Sequence, residues 1–463
     1  MHNHEIVRFA VIVLFSIFSS TSLSSAQTYK FVRVAADNMT RPDGAGPFGI
    51  YSDIRPCVEG DWVVFRDPGF FGSVKKQSIW SYNSADGSYI RLVDQETPAP
   101  GGTGNFSDLF YDTQPVLKNG IVTFLARDDK PGIYNQGIYT IPVGGGPISL
   151  VANYNTPDPS GGTFVNFDMS GKPFGGFSVA QSLPSPDDPT VMLPGRIVFY
   201  GRNEQNIFGL YSALPDGSDL RLIADVRSPV HPRSVFPVSI FFNGAPSGDR
   251  VVFYGQTVFD PSTGFNALYT SPVTGPDGVT EDGSPNFQEI LNSDRHLPDN
   301  PNEKFHTRVN VPSLQADGDA IAFVADDTNS DFRGIFTMPL SGGDITPVVT
   351  PFTSLEGLGT LETRYGFLGL TLNQGRVLFH AYDRNEAGPA NQGMFVWQDG
   401  VHKRIIGTGD KIGEDVVTNI LQPGVAAMSG DRVVVLLTTR PSGNAIFVAI
   451  PEEPPPPSEV GNK

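Results

Sequence analysis

The chain has 463 residues, with 51 glycines, 40 prolines, a single cysteine and a net charge of −17. That charge argues against nucleic acid and anionic membrane surfaces as general partners. The lone Cys57 excludes an intrachain disulfide, a CxxC pair and a cysteine-based zinc site, so stability has to come from a large core.

Residues 1–26 read as a targeting segment. Arg8 gives a positive start, residues 9–18 are apolar, and Ser24 and Ala26 supply the small residues ahead of a cleavage site. The apolar run is too short to act as a stop-transfer helix, and no later stretch approaches the roughly 18 apolar residues a span needs. The mature chain is therefore expected to begin at Gln27 and to be soluble and exported, extracellular or periplasmic. Asn38-Met39-Thr40 and Asn105-Phe106-Ser107 fit the pattern of N-glycosylation acceptors, which matters only if the host is eukaryotic.

From Gly60 onward one phrase returns seven times. A Gly, usually followed by Asp or Arg, opens a β-branched run that ends in an aromatic or aliphatic residue. The phrase starts at Gly60, Gly120, Gly195, Gly248, Gly318, Gly375 and Gly430, at intervals of 53 to 75 residues. Units of that length built from short strands point to propeller blades rather than solenoid coils. Each parses into four strands, with the phrase as the second.

The third strand carries an apolar-aromatic-small triplet, as in Ile79-Trp80-Ser81, Ile138-Tyr139-Thr140, Leu210-Tyr211-Ser212 and Ile335-Phe336-Thr337. Hairpin turns such as Asp86-Gly87 and Asp216-Gly217 follow. The fourth strand alternates apolar and polar, as in Ile90-Arg91-Leu92-Val93, with one face buried and one wet. First strands are expected just before each phrase, at residues 54–58, 114–117, 238–242, 309–314, 367–372 and 421–426. Cys57 then falls in an inner strand and reads as a small buried hydrophobe. Trp62, Trp80 and Trp397 fall in second and third strands and read as core.

The seventh unit stops after its third strand, near Ile450. Residues 29–34, Tyr-Lys-Phe-Val-Arg-Val, have the fourth-strand pattern and no blade of their own. The expectation is an all-β, seven-bladed propeller of four-stranded antiparallel blades over residues 27–451, closed by the N-terminal strand completing the last blade. A ring of six blades with one degenerate repeat is the alternative. The proline-rich tail from Glu452 is too polar to pack and reads as disordered.

The repeats at 318–349 (GDAIAFVADDTNSDFRGIFTMPLSGGDITPVV) and 248–275 resemble those of TolB-type (PD40) propellers, which are close to WD40 in architecture. The resemblance extends over essentially all of 29–451. It implies a fold and no particular reaction, since members of this broad group include docking platforms, adhesion modules and some polysaccharide lyases.

Chemistry has to be sought by aligning blades. Before the fourth phrase stands His231-Pro232-Arg233, before the fifth His306-Thr307-Arg308, and before the sixth Arg364-Tyr365; Arg55 and Gln114 lie near the first strands of blades 1 and 2. Linkers entering inner strands line the funnel at one end of a propeller, so these positions are expected to converge. The set suits an acidic sugar. Arginine pairs with a uronate carboxylate and acidifies the neighbouring proton, a neutral His or ionised Tyr removes that proton, and a second acid protonates the leaving oxygen. On this reading His231, His306 and Tyr365 are catalytic, and Arg55, Gln114, Arg233, Arg308 and Arg364 bind ligand. The competing reading is structural: such residues also cap strands, pair with loop acids or face solvent.

Of the other histidines, His380 takes the place of Tyr200 and Tyr254 and reads as packing, while His402, opening an outer strand, reads as solvated. Asp327, Asn329 and Asp331 offer alternate oxygen ligands like the start of a calcium loop; the sixth-position Gly and twelfth-position Glu are missing, and such a loop also serves simply as a turn. Three functions remain open: a secreted monomer binding an extracellular glycan or protein without catalysis, a lyase acting on uronate-containing glycans, and a surface scaffold that docks proteins.

Overall fold

The computed structural model describes residues 28–452, apart from 70–75, 110–113, 131–134, 168–176, 181, 185–189, 191, 229–239, 258–264, 277–286, 293, 299, 307–313, 328–332, 361–366, 384–390 and 422. The targeting segment and all of the tail except Glu452 lie outside these residues. No helix occurs among the described residues.

Six of the seven phrases open a hairpin because their Gly sits where the chain must turn left-handed; Gly195, at the end of a longer connection, is the exception. Asn119 and Gly120 have φ of 56° and 70°, the paired positive values of a two-residue turn matched to strand twist. The second strand of blade 2, Ile121–Asp128, then pairs backward with Val116–Lys118 and forward with Gln136–Pro142, which pairs with Ser149–Asn153. The same antiparallel order recurs in seven sheets.

Each part of the third-strand triplet has a separate cause. Its aromatic stacks on the aromatic of the phrase: Phe124 on Tyr139, Phe199 on Tyr211 and Phe379 on Phe395, all with centroids 5.7 Å apart. Such pairs contribute about 0.5–1.5 kcal/mol each beyond area burial. The Gly two residues earlier makes room for the ring; a Cβ on Gly209 would lie 2.7 Å from the Tyr211 hydroxyl. The small residue ties one blade to the next: the Ser81 hydroxyl donates to the Val143 carbonyl (2.9 Å) and that of Thr140 to the Pro215 carbonyl (2.7 Å). Cores form between blades rather than within them. Val64 and Ile79 of blade 1, for example, pack with Val122, Phe124 and Tyr139 of blade 2.

The ring closes as the chain ends suggest. Tyr29–Ala36 pairs antiparallel with Gly443–Pro451, from Tyr29 opposite Pro451 to Ala36 opposite Ala445. Val34, Ala35 and Ala36 are fully buried in the core that joins blades 7 and 1. The protein is a seven-bladed β-propeller.

The inner strand of blade 6, Phe367–Asn373, lies where expected, and those of blades 4 and 5, Ile240–Ser247 and Leu314–Asp317, start later than expected; three others are both shorter and later. They occupy Cys57–Glu59, Val116–Lys118 and Met428–Ser429, against the expected 54–58, 114–117 and 421–426. Pro56, Pro115 and Pro423 explain the shift, because proline has no N–H to give the ladder. In blades 2, 3, 5 and 7 a separate upstream segment pairs with the far end of the second strand: Phe106–Asp108, Phe164–Asn166, Asn300–His306 and Asp415–Ile420.

Candidate functional site: the axial channel

Two ends of the channel are distinct. At the upper end the linkers arrive and the second strands finish; at the lower end lie the turns between first and second strands.

Hydrogen bonds from blade to blade ring the lower end. Glu59 accepts from the N–H groups of Asn119 (2.7 Å) and Gly120 (2.6 Å), and the Asn119 amide donates to the Ala180 carbonyl (2.8 Å). Ser178 donates to the Gly244 carbonyl (2.6 Å) and Ser247 to the Gly318 carbonyl (2.8 Å). Asp317 accepts from Gln374 N–H (2.6 Å), Asn373 from Gly430 N–H (2.9 Å), and Ser429 from Gly60 N–H (3.3 Å), which completes the circuit. Above this collar lies a cavity of about 240 Å³ lined by all seven inner strands. Lys118 of blade 2 reaches toward Asp317 of blade 5 at 3.4 Å. Glu59, Lys118 and Asp317 are thus committed to neighbours.

The upper end differs. Gln114 is spent on structure: its Oε1 accepts from Arg55 N–H and its Nε2 donates to the Asp53 carbonyl, both at 3.1 Å, clamping the linker into blade 1 against blade 2. The Arg55 guanidinium donates to the carbonyls of Ser52 (2.9 Å) and Ile54 (3.2 Å). Burial pushes its pKa down, and the Asp53 carboxylate acts against that shift. The absence of a side chain at Gly424 in blade 7 admits the arginine, since a Cβ there would stand 3.2 Å from both Arg55 Cβ and the Pro56 carbonyl oxygen. Arg66, fully buried in blade 1, donates to the Leu109 carbonyl (3.3 Å) and lies 3.5 Å from Asp53 Oδ2. Arg66 is thus paired with the Asp53 carboxylate while Arg55 feels the same charge from farther off, two cations against one anion in a strongly negative chain.

His380, in the second strand of blade 6 (Arg376–Asp383), is 3% exposed. Burial lowers its pKa to about 4; an interaction with the Gln392 side chain opposes the shift, and the Arg55 charge adds to it. The Gln392 contact does not meet hydrogen-bond geometry, so neither ring nitrogen is satisfied. The ring is neutral at physiological pH. Packing, as expected, is its observed role.

Of the residues expected to converge, only Arg55 and Gln114 are described with side chains, and they are in contact. His306 ends the upstream segment Asn300–His306, its backbone opposite Asp326 at the upper end of blade 5. His231, Arg233, Arg308, Arg364 and Tyr365 lie outside the described residues, as do Asn329 and Asp331. Asp327 closes the second strand Ala320–Asp327. At the matching place in blades 2 and 3, Asp128 accepts from Thr103 N–H (2.9 Å) and Asn203 donates to the Gly161 carbonyl (2.8 Å), each pinning the incoming linker. Among the described residues no three His, Cys, Asp or Glu side chains are grouped to hold a metal.

His402 is not solvated as expected. It is half-buried, and its Nε2 lies 2.6 Å from the Val348 carbonyl oxygen of the preceding blade, because outer strands also pack against their neighbours. Cys57 is buried, and burial raises its thiol to about 12, the inert state expected of it. Asp53 and Arg66 were not singled out from sequence. A signal for Arg66 and His380 exists: both directly follow the phrase aromatic, where other blades carry Leu125, Tyr200, Tyr254 and Val324.

No family model matches the chain, and no curated protein matches it. Solved structures do. The β-propeller domain of the trilobed protease from Pyrococcus furiosus is similar at 11% identity and a TM-score of 0.46, over 86% of this chain and 98% of that one. The polysaccharide lyase Uly1 is similar at 10% identity and 0.42, over 92% and 100%. An oligogalacturonate lyase in complex with manganese is similar at 11% and 0.42, over 93% and 97%. Against several peptidases the chain spans about half of their length. At these identities and scores nothing of their activities transfers to this chain.

Proposed function

We propose that the protein is an exported propeller, with repeats of TolB type, that binds an extracellular glycan bearing carboxylates at the upper mouth of its channel, without catalysis. The observation that carries this reading is the half-buried guanidinium of Arg55 at the upper end, close to an Asp53 carboxylate that the buried Arg66 already engages. A desolvated guanidinium gains most from a carboxylate that can take two parallel hydrogen bonds.

Calorimetry with oligogalacturonate and with a neutral glucan of the same length tests the assignment. The acidic chain should bind, the neutral one should not, and Arg55→Gln should weaken binding at least about tenfold, the loss of one charge-assisted bond of roughly 1.5–3 kcal/mol. Equal binding of both polymers would overturn it.

The lyase reading rests on His306, which the backbone brings to the end of the ring where Arg55 lies. It requires ultraviolet absorbance of an unsaturated product to appear with the native protein and to vanish in His306→Ala.

A further inference from the structure

We infer that Asn38 and Asn105 both carry N-linked glycans, and that these flank blade 1 on the upper rim. The inference rests on the export reading in a eukaryotic host, since only there does an exported chain meet the machinery that adds them. Neither middle residue of the two triplets, Met39 or Phe106, is proline, and the third positions are Thr40 and Ser107.

The structure adds what the motif lacks. Asn38 and Asn105 are exposed, and among the described residues neither side-chain amide has a partner. Other loop and linker asparagines behave differently. Asn153 and Asn155 both donate to the Gly101 carbonyl (2.9 and 3.2 Å), Asn135 donates to the Lys130 carbonyl (3.0 Å), and Asn203 is bonded as described above. An asparagine in an aqueous linker that ties down no backbone has no structural task. In each triplet the middle side chain is turned inward, Met39 half-buried and Phe106 1% exposed, so the asparagine before it projects to solvent.

Their placement is related. Asn38 lies in the linker from blade 7 into blade 1, beside the bridge between Thr40 and Pro47, and Asn105 in the linker from blade 1 into blade 2, paired with Pro98. The two attachment points lie on the linkers that enter and leave blade 1, at the end of the ring where the linkers arrive. A macromolecular ligand would then reach the channel mouth over blades 3 to 6, not over blade 1.

The reaction needs a lipid-diphosphate-linked oligosaccharide as donor and a transferase. The asparagine amide nitrogen bonds to the anomeric carbon, the bond from that carbon to the diphosphate oxygen breaks, and the amide proton passes to an enzyme carboxylate. No oxidation is involved. Transfer to the extended chain precedes folding, so the native hydrogen bond from the Ser107 hydroxyl to the Asp128 carbonyl is no obstacle.

Intact-mass and peptide mass spectrometry of the protein from its native source is the test, with Asn38→Gln and Asn105→Gln expressed in the same host. The expected result is a chain starting near Gln27 with two glycans released by an N-glycan amidase, one of them missing in each variant. A processed chain at its bare polypeptide mass overturns the assignment and leaves export intact. A chain still carrying residues 1–26 overturns export, and this assignment with it.

Discussion

Acidification should weaken this propeller through one residue, His380. In the unfolded chain its imidazole takes up a proton near the ordinary value of 6.5, whereas in the folded protein burial delays uptake to about 4. Between those values the unfolded chain holds more protons, so stability falls as pH drops through that window and is unaffected by this group above it. Each tenfold rise in proton concentration across the window costs about 1.36 kcal/mol, so the loss at pH 4.5 is about 2.5 kcal/mol. Urea unfolding followed by tryptophan fluorescence at pH 7.5 and 4.5, for wild type and His380→Leu, isolates the effect. The leucine matches Leu125 at the same place in blade 2. Carboxylates titrating in this range cancel in the difference between the two proteins. That difference should shift by about 2.5 kcal/mol in favour of the variant on acidification. An identical difference at both pH values would refute the reasoning.

Removing residues 1–36 should leave the strand Gly443–Pro451 as an open edge; size-exclusion chromatography is expected to show oligomers or aggregates, and a monomer with an unchanged melting temperature would contradict the closure. If Asp327 pins a linker as Asp128 and Asn203 do, Asp327→Ala should lower the melting temperature equally in calcium and in EDTA, by the equivalent of about 1–3 kcal/mol. A loss confined to calcium would make Asp327 a metal ligand instead.

Much of the fold was readable because its causes are local. A left-handed glycine, a β-branched run and a ring stacked on the neighbouring strand act within about twenty residues, so Gly120, Phe124 and Tyr139 reveal themselves by recurrence. The closing strand was readable for a similar reason: residues 29–34 carry a fourth-strand pattern and the last blade lacks one. The inner strands of blades 1 and 2 were misplaced because Pro56 and Pro115 were included in them, although proline marks where such a strand must begin.

Sequence alone determined that seven blades form and that the two ends of the chain share the last. Only tertiary structure decided what meets at the axis. Asp53 and Arg66 come from blade 1, His380 from blade 6, and Gly424, whose bare Cα lets Arg55 in, from blade 7. Residues as far apart in sequence as Arg55 and Gly424 become neighbours there only after every blade has turned by its share of the circle, and a repeat pattern, being the same in each blade, carries no record of which exceptions will face one another.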